Sequence, residues 1–283
     1  MPRARNIFAC LAHERRDCII DLVQNLMCLD PSSLVLLYNG GHDPALLAPH
    51  PLLDRDEVVV HPEPQPQRWG QLQGFAFDCM KLALDRYAFD TLTIVDSDQL
   101  AIQPDYSLVL GSCLSGRPAA GLLRSANRRR KPAERHPPII SAVRELELWR
   151  PFLRRFSDGE GRFPKWSFWP ATVVTARAAD DLVKIVATDD QLQHILSRTK
   201  IRAAEEIVIP TLVDLLGYDL LENPCDNGYL RHRATYSIRQ VENALKRPSA
   251  YWIHPIPRRF DDPLRGRIRS AFNDYERPLG TRT

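Results

Sequence analysis

Asp96 and Asp98 stand one residue apart at the end of a strongly apolar run, LTIVDSDQLAI, residues 92–102. Side chains two apart on an extended strand point to the same side. A strand ending in Asp-Ser-Asp therefore aims both carboxylates at whatever lies beyond its carboxyl end. Such a pair suits a hard divalent cation, Mn²⁺ or Mg²⁺, through oxygen ligands, and that cation in turn neutralises the phosphates of a nucleotide. The plainer alternative makes Asp96 a turn cap and Asp98 a solvated side chain. Two further acids, Glu205 and Glu206, precede the run IVIPTL. A helix N-terminus there would favour a carboxylate, although ordinary first-turn acids look the same.

The elements that must position these groups follow from hydrophobic spacing. Asn6 to Ala12 is apolar and bounded by charge, Asp17 to Leu29 has helical spacing, and Leu34 to Tyr38 and Val58 to Val60 are again strand-like. After the loop HPEPQPQRW, residues Leu72, Phe75, Cys79, Leu82 and Ala83 line one helix face ahead of the Asp-Ser-Asp strand. Alternating strand and helix predict an α/β fold with a mostly parallel, Rossmann-like central sheet flanked by helices. Ligands bind beyond the carboxyl ends of the strands in such sheets. In the back half, Ala171 to Thr175 reads as a strand and a helix starts near Ala178. The segment AAEEIVIPTLVDLLGY reads as a helix ending near Gly217, with Pro210 tolerable only in its first turn. The basic stretch RSANRRRKPAERHPP, residues 124–138, reads as an exposed loop, with an anion-binding lid as the sharper alternative.

At 283 residues the chain can bury a large core without staples, and we expect a single domain, residues 1–105 forming one half and 106–283 the other. With 38 basic and 35 acidic residues, the net charge of +3 is too balanced for a protein that coats nucleic acid. Six cysteines without a CxxC pair fit a reducing compartment, and the N-terminal apolar stretch, broken by His13 and Glu14, is neither leader nor membrane span. The expected location is cytoplasmic.

In order along the chain, RWGQLQGFAFDCMKLAL, the Asp-Ser-Asp turn, WPATVVTARAADDLVKI and AAEEIVIPTL resemble a GT-A glycosyltransferase, more narrowly the family of branching N-acetylglucosaminyltransferases and peptide O-xylosyltransferases. The resemblance covers roughly residues 5–260. It implies a nucleotide-sugar donor, with UDP expected, a glycan or small-molecule acceptor, and inverting transfer. Residues 1–105 would bind the donor and 106–283 the acceptor. Glu206 matches that family's catalytic glutamate, with Glu205 taking the role if the alignment slips by one. Members of the narrower family generally lack a working acidic metal site and use basic side chains at the diphosphate. This chain offers both devices. His254 could be the late metal ligand of metal-dependent GT-A enzymes, or merely a turn histidine; Arg258 and Arg259 could replace the metal through charge-assisted hydrogen bonds.

By the same resemblance the donor would touch Ser97 within the acidic turn, His13 and Asn39 at loop ends after the first strands, and Trp69 and Gln73 at the start of the following helix. Asn39-Gly40-Gly41 could equally be a turn, and Trp69 a core residue. Trp166 and Trp169 offer aromatic faces that stack on sugar rings, so they are acceptor candidates, although Trp166 and Phe168 could share a buried strand face. Two other readings compete. The nucleophilic aspartate of haloacid dehalogenase relatives normally closes the first strand, whereas here a later strand continues with Gln99 and Leu100. A non-catalytic GT-A relative that binds nucleotide or glycan as a scaffold would carry the same elements. The Arg- and Pro-rich composition fits a bacterial source.

Overall fold

The computed structural model describes residues 1–125 and 136–276. Most of the basic stretch 124–138 lies outside the described residues.

The front half runs β1 (Arg3–Ala12), α1 (Arg16–Leu29), β2 (Leu34–Asn39), β3 (Val58–Val60), α2 (Gln73–Arg86) and β4 (Ala88–Asp96). A short β5 (Leu100–Ala101), α3 (Tyr106–Leu114), β6 (Ala120–Ser125), α4 (Pro137–Arg144) and α5 (Leu146–Leu153) follow. The back half continues with β7 (Phe168–Thr175), α6 (Ala176–Thr188), α7 (Asp190–Arg198), α8 (Glu205–Leu215), β8 (Asp219–Glu222), α9 (Ile238–Leu245), β9 (Trp252–Ile253) and α10 (Pro263–Ala271).

Seven strands form one sheet in the order β3-β2-β1-β4-β7-β6-β8, and β5 pairs separately with β9. The pairs β1–β2, β1–β4, β2–β3 and β6–β8 are parallel, while β7 runs antiparallel to both neighbours. The expected mixed α/β architecture with a mostly parallel sheet is what the chain forms. Buried apolar clusters cover both faces, one holding α2, α5, α6 and α8 side chains, the other those of α1, α3, α9 and α10. That double burial explains why β1 and β4 read as continuous apolar runs. The sheet takes strands from both halves of the chain, so its core is continuous.

Direction matters for the site. Because β7 is antiparallel to β4, the start of β7 arrives at the end where β4 stops. The short β5–β9 pairing brings the segment after Ile253 beside the Asp-Ser-Asp turn: Ile256 N donates to the Asp98 carbonyl at 2.7 Å. Five residues spread across the sequence fasten the same corner. Arg265, on α10, is fully buried and reaches Asp21 on α1 (2.6 Å), the Ser97 carbonyl (3.2 Å) and the Pro257 carbonyl (2.9 Å), while Arg269 also meets Asp21 (3.1 Å). Arg265 thus ties the acidic turn to the loop that follows His254. Asp21→Ala would leave that buried guanidinium without its counter-charge, and we expect a loss of about 3–5 kcal/mol in urea unfolding. A loss below about 1 kcal/mol would show the pair to be dispensable for stability.

Helix α8 departs from expectation at one position. Pro210 lies inside the helix, not in its first turn. A proline cannot donate to the carbonyl four residues back, here Glu206. The structure supplies the reason it is tolerated: Ser167 N donates to the Glu206 carbonyl at 3.0 Å, so the freed acceptor is satisfied by the strand leading into β7. At the other end, Gly217 takes φ +90° while its N–H meets Asp214 O and Tyr218 N–H meets Val213 O, the left-handed helix stop read from the sequence. Among the described residues no helix is long and apolar enough to cross a membrane.

Candidate functional site

A cleft of about 530 Å³ opens where β1 and β4 end and β7 begins. Asp96 closes β4, Asp98 follows in the turn, and His254 stands just after β9. His254 Nε2 lies 3.6 Å from Asp96 Oδ2 and 3.2 Å from Asp98 Oδ1. Its Nδ1 sits 2.9 Å from the Arg231 carbonyl. A carbonyl only accepts, so Nδ1 carries the proton of the neutral ring and Nε2 turns its lone pair to the carboxylates. Asp98 Oδ1 is then buried without a hydrogen-bond donor. Three electron-rich atoms within 4.8 Å of one another are relieved by a proton shared among them or by a cation. The donor set, two carboxylates and one imidazole, could hold a divalent cation.

The local electrostatics express the same conflict. Burial pushes Asp96 up to about 6, against the pull of His254. Burial also works against Asp98, but once Nε2 is protonated the hydrogen bond and charge of His254, with the Arg258 charge, hold it below the usual carboxylate range. His254 is raised despite burial by its bond to Asp98 and by both carboxylate charges. Arg258 reaches Asp98 Oδ2 at 3.0 Å, the Ser97 hydroxyl at 2.9 Å and Glu14 at 3.3 Å.

Glu205 and Glu206 open α8 and are buried. Ahead of them Ala203 takes φ +52°, a left-handed turn at the cleft edge that brings its neighbour Ala204 N to the Gly70 carbonyl (2.9 Å). The two acids then diverge. Glu205 accepts from Leu72 N (3.1 Å), fixing the chain as it enters α2. Glu206 accepts from the Trp166 indole N–H (2.8 Å) and from Trp169 N (3.3 Å). Burial raises Glu205 to about 7 and Glu206 to about 8, the latter against the Trp166 hydrogen bond and with help from the Glu205 charge. A second cavity, about 580 Å³, adjoins the cleft, and Glu206 lines both whereas Glu205 lines only the first. Glu206 thus faces both cavities.

The structure gathers some of the residues read from sequence and not others. Asp96, Asp98, His254, His13, Trp69, Trp169 and Arg258 line the cleft. Ser97 is buried behind it, holding Arg258. Trp166 lines the second cavity, but Trp169 lies in the first, so the two indoles do not share one acceptor wall. Trp166 precedes β7 and so shares no strand face with Phe168. Asn39 is engaged by its own turn and does not line the cleft: its amide donates to Asp43 O and its oxygen accepts from Gly41 N. That turn packs so tightly that a Cβ on Gly41 would stand 2.6 Å from the His13 carbonyl. Gln73 is buried against Gln71 and lines neither cavity. Arg259 is exposed and paired with Asp262 at 3.0 Å, away from the cleft.

Sequence reading passed over Arg202 and the triplet Arg231, His232, Arg233, which supply most of the positive charge around both cavities. Arg233 lies over the exposed Trp69 ring at 5.5 Å. Burial, with Arg233, His254 and Arg202 nearby, lowers the proton affinity of His232. The basic triplet RHR was the available signal, but it lies in a loop without periodicity.

No protein-family model matches the chain, and no curated protein matches it by sequence. Among solved structures it is similar to a mannosyltransferase from Pyrobaculum calidifontis, solved with GDP-Man and Mn²⁺, at 12% identity and a TM-score of 0.46. That likeness covers 86% of this chain and 61% of the mannosyltransferase, so the chain spans less than two thirds of that protein. An active-site mutant of LgtC is similar at 8% identity and a TM-score of 0.47, over 97% of this chain and 98% of that one. Both are loose likenesses of backbone course.

Proposed function

We propose that the protein is a GT-A-type glycosyltransferase that moves a sugar from a nucleoside diphosphate sugar to an acceptor hydroxyl with inversion. The observation carrying this reading is that one buried carboxylate, Glu206, lines both a cleft holding the Asp96–Asp98–His254 cluster and an adjoining aromatic cavity. In the proposed reaction the acceptor oxygen attacks the anomeric carbon, its proton passes to Glu206, and the bond from that carbon to the diphosphate oxygen breaks. The nucleoside diphosphate departs with the bonding electron pair. A divalent cation held by Asp96, Asp98 and His254 would neutralise charge on that leaving group. Trp166 and the Trp169 amide keep the Glu206 oxygens in place, and burial makes the carboxylate a stronger base than one in water.

Arg258 and Arg259 are weaker candidates for replacing the cation. Arg258 already pairs with Asp98 and Glu14, and Arg259 with Asp262. The cation reading is therefore the one the side chains favour. The donor base would lie toward His13, Gly40 and Gln67, where the cleft extends past the end of β1. UDP is our expected nucleotide.

A panel of UDP- and GDP-sugars, with Mn²⁺, Mg²⁺ or EDTA, tests the proposal through release of the nucleoside diphosphate. At least one donor is expected to be consumed with metal and spared in EDTA. If none is consumed under any metal condition, the scaffold reading replaces this one.

A further inference from the structure

The second cavity is built differently from the cleft, and its chemistry narrows the acceptor. Resting on the proposed transferase reading, we infer that it binds an acceptor with a ring or other apolar face and an anionic group, carboxylate or phosphate. Trp69, Trp166 and Phe168 supply the aromatic walls. Arg202, Arg231, His136 and His232 supply the polar ones, and Glu206 is the lone carboxylate among the described lining residues.

The arginines are not balanced from within. Among the described residues Arg202 makes no ion pair and its guanidinium no hydrogen bond, although its backbone is fixed by Ser141 (2.9 Å). Arg231 gives Nε to the Gly228 carbonyl (3.1 Å) and lies over the Tyr236 ring at 5.0 Å, again with no carboxylate partner. Stacking and the carbonyl bond fix the Arg231 plane while its charge stays uncompensated, an arrangement suited to a carboxylate or phosphate. Beside Glu206, a neutral acceptor would leave these charges unused, whereas an anionic one is drawn in and oriented by them. The aromatic walls favour a sugar ring over an extended anion.

The test uses probes differing only at C6: p-nitrophenyl β-D-glucoside, the corresponding β-D-glucuronide, and the glucoside 6-phosphate. Binding to the full chain is measured calorimetrically in EDTA without donor, so the result does not depend on turnover or metal. We expect at least one anionic probe to bind about tenfold or more tightly than the neutral glucoside, and Arg202→Gln with Arg231→Gln to erase that advantage. The better of the two anionic probes then identifies carboxylate or phosphate. Each single variant, checked for an unchanged circular dichroism spectrum, should lose part of it. Equal affinity for all three probes, no binding of any, or an advantage that survives in the folded double variant would overturn the inference. Donor consumption, read separately, would still stand or fall on the acidic cluster.

Discussion

Glu206→Gln is expected to remove about 10²–10⁴-fold of kcat, the usual contribution of a positioned general base, while making the protein harder to unfold. The opposite signs are the point. Burial raises the Glu206 carboxyl from 4.5 to about 8. The folded state therefore holds a proton on Glu206 that the unfolded chain has released across that interval, so the unfolded state binds fewer protons and stability falls as pH rises. The contribution is intact below the unfolded value and lost by the time pH passes about 8. Glutamine removes the ionisation, while its NH2 cannot accept and leaves one of the Trp166 and Trp169 N–H groups without its partner, which offsets part of the gain. Near neutral pH we expect a gain on the order of 2–3 kcal/mol, or about 5 °C or more in the thermal midpoint. Activity should show the complementary slope: kcat/KM of the wild type rises with pH through an apparent value near 8, because only the ionised carboxylate can take the acceptor proton. Glu205→Gln is the internal comparison. Its carboxylate holds Leu72 N at the start of α2, so the loss of kcat should stay within about tenfold. A larger loss from Glu205→Gln than from Glu206→Gln would exchange their roles.

Asp98→Asn is expected to lower kcat/KM by more than about 10²-fold and to abolish its dependence on Mn²⁺. The substitution preserves volume but takes away a charge that His254 and Arg258 both face, at 3.2 and 3.0 Å. It also separates two mechanisms. If arginine alone neutralised the diphosphate, releasing Arg258 from Asp98 would strengthen its hold on the phosphates and activity would hold or rise. If a cation is needed, activity falls with the cation's affinity, and added Mn²⁺ restores little of it.

Much of this was legible in the chain because it is local. The apolar run places Asp96 at a strand end with Asp98 in the turn after it, and its burial on both faces announces the parallel sheet. Glu205 and Glu206 were visible as acids opening a helix, but nothing local tells them apart; the difference arises from Trp166 and Leu72, which come from other elements. For Asn39 the sequence leaves a turn and a base contact equally open, and the chain forms the turn, with Asp43 and Gly41 as partners within four residues. Pro210 breaks a local rule that the distant segment just before β7 repairs at Ser167. Arg202 and the Arg265–Asp21 pair carry no local signal, because their meaning lies in long-range neighbours, 244 positions apart in the last case, whereas Arg231 shows only as part of a basic triplet.

The most direct measurement is calorimetric titration of UDP and GDP into the wild type and into Asp98→Asn, each with Mn²⁺ and with EDTA. We predict that one nucleotide binds the wild type about 100-fold or more tightly with Mn²⁺ than without, and that the variant shows no such difference. Binding of equal strength in both conditions, binding unchanged by Asp98→Asn, or no binding of either nucleotide would contradict the placing of a diphosphate at Asp96, Asp98 and His254.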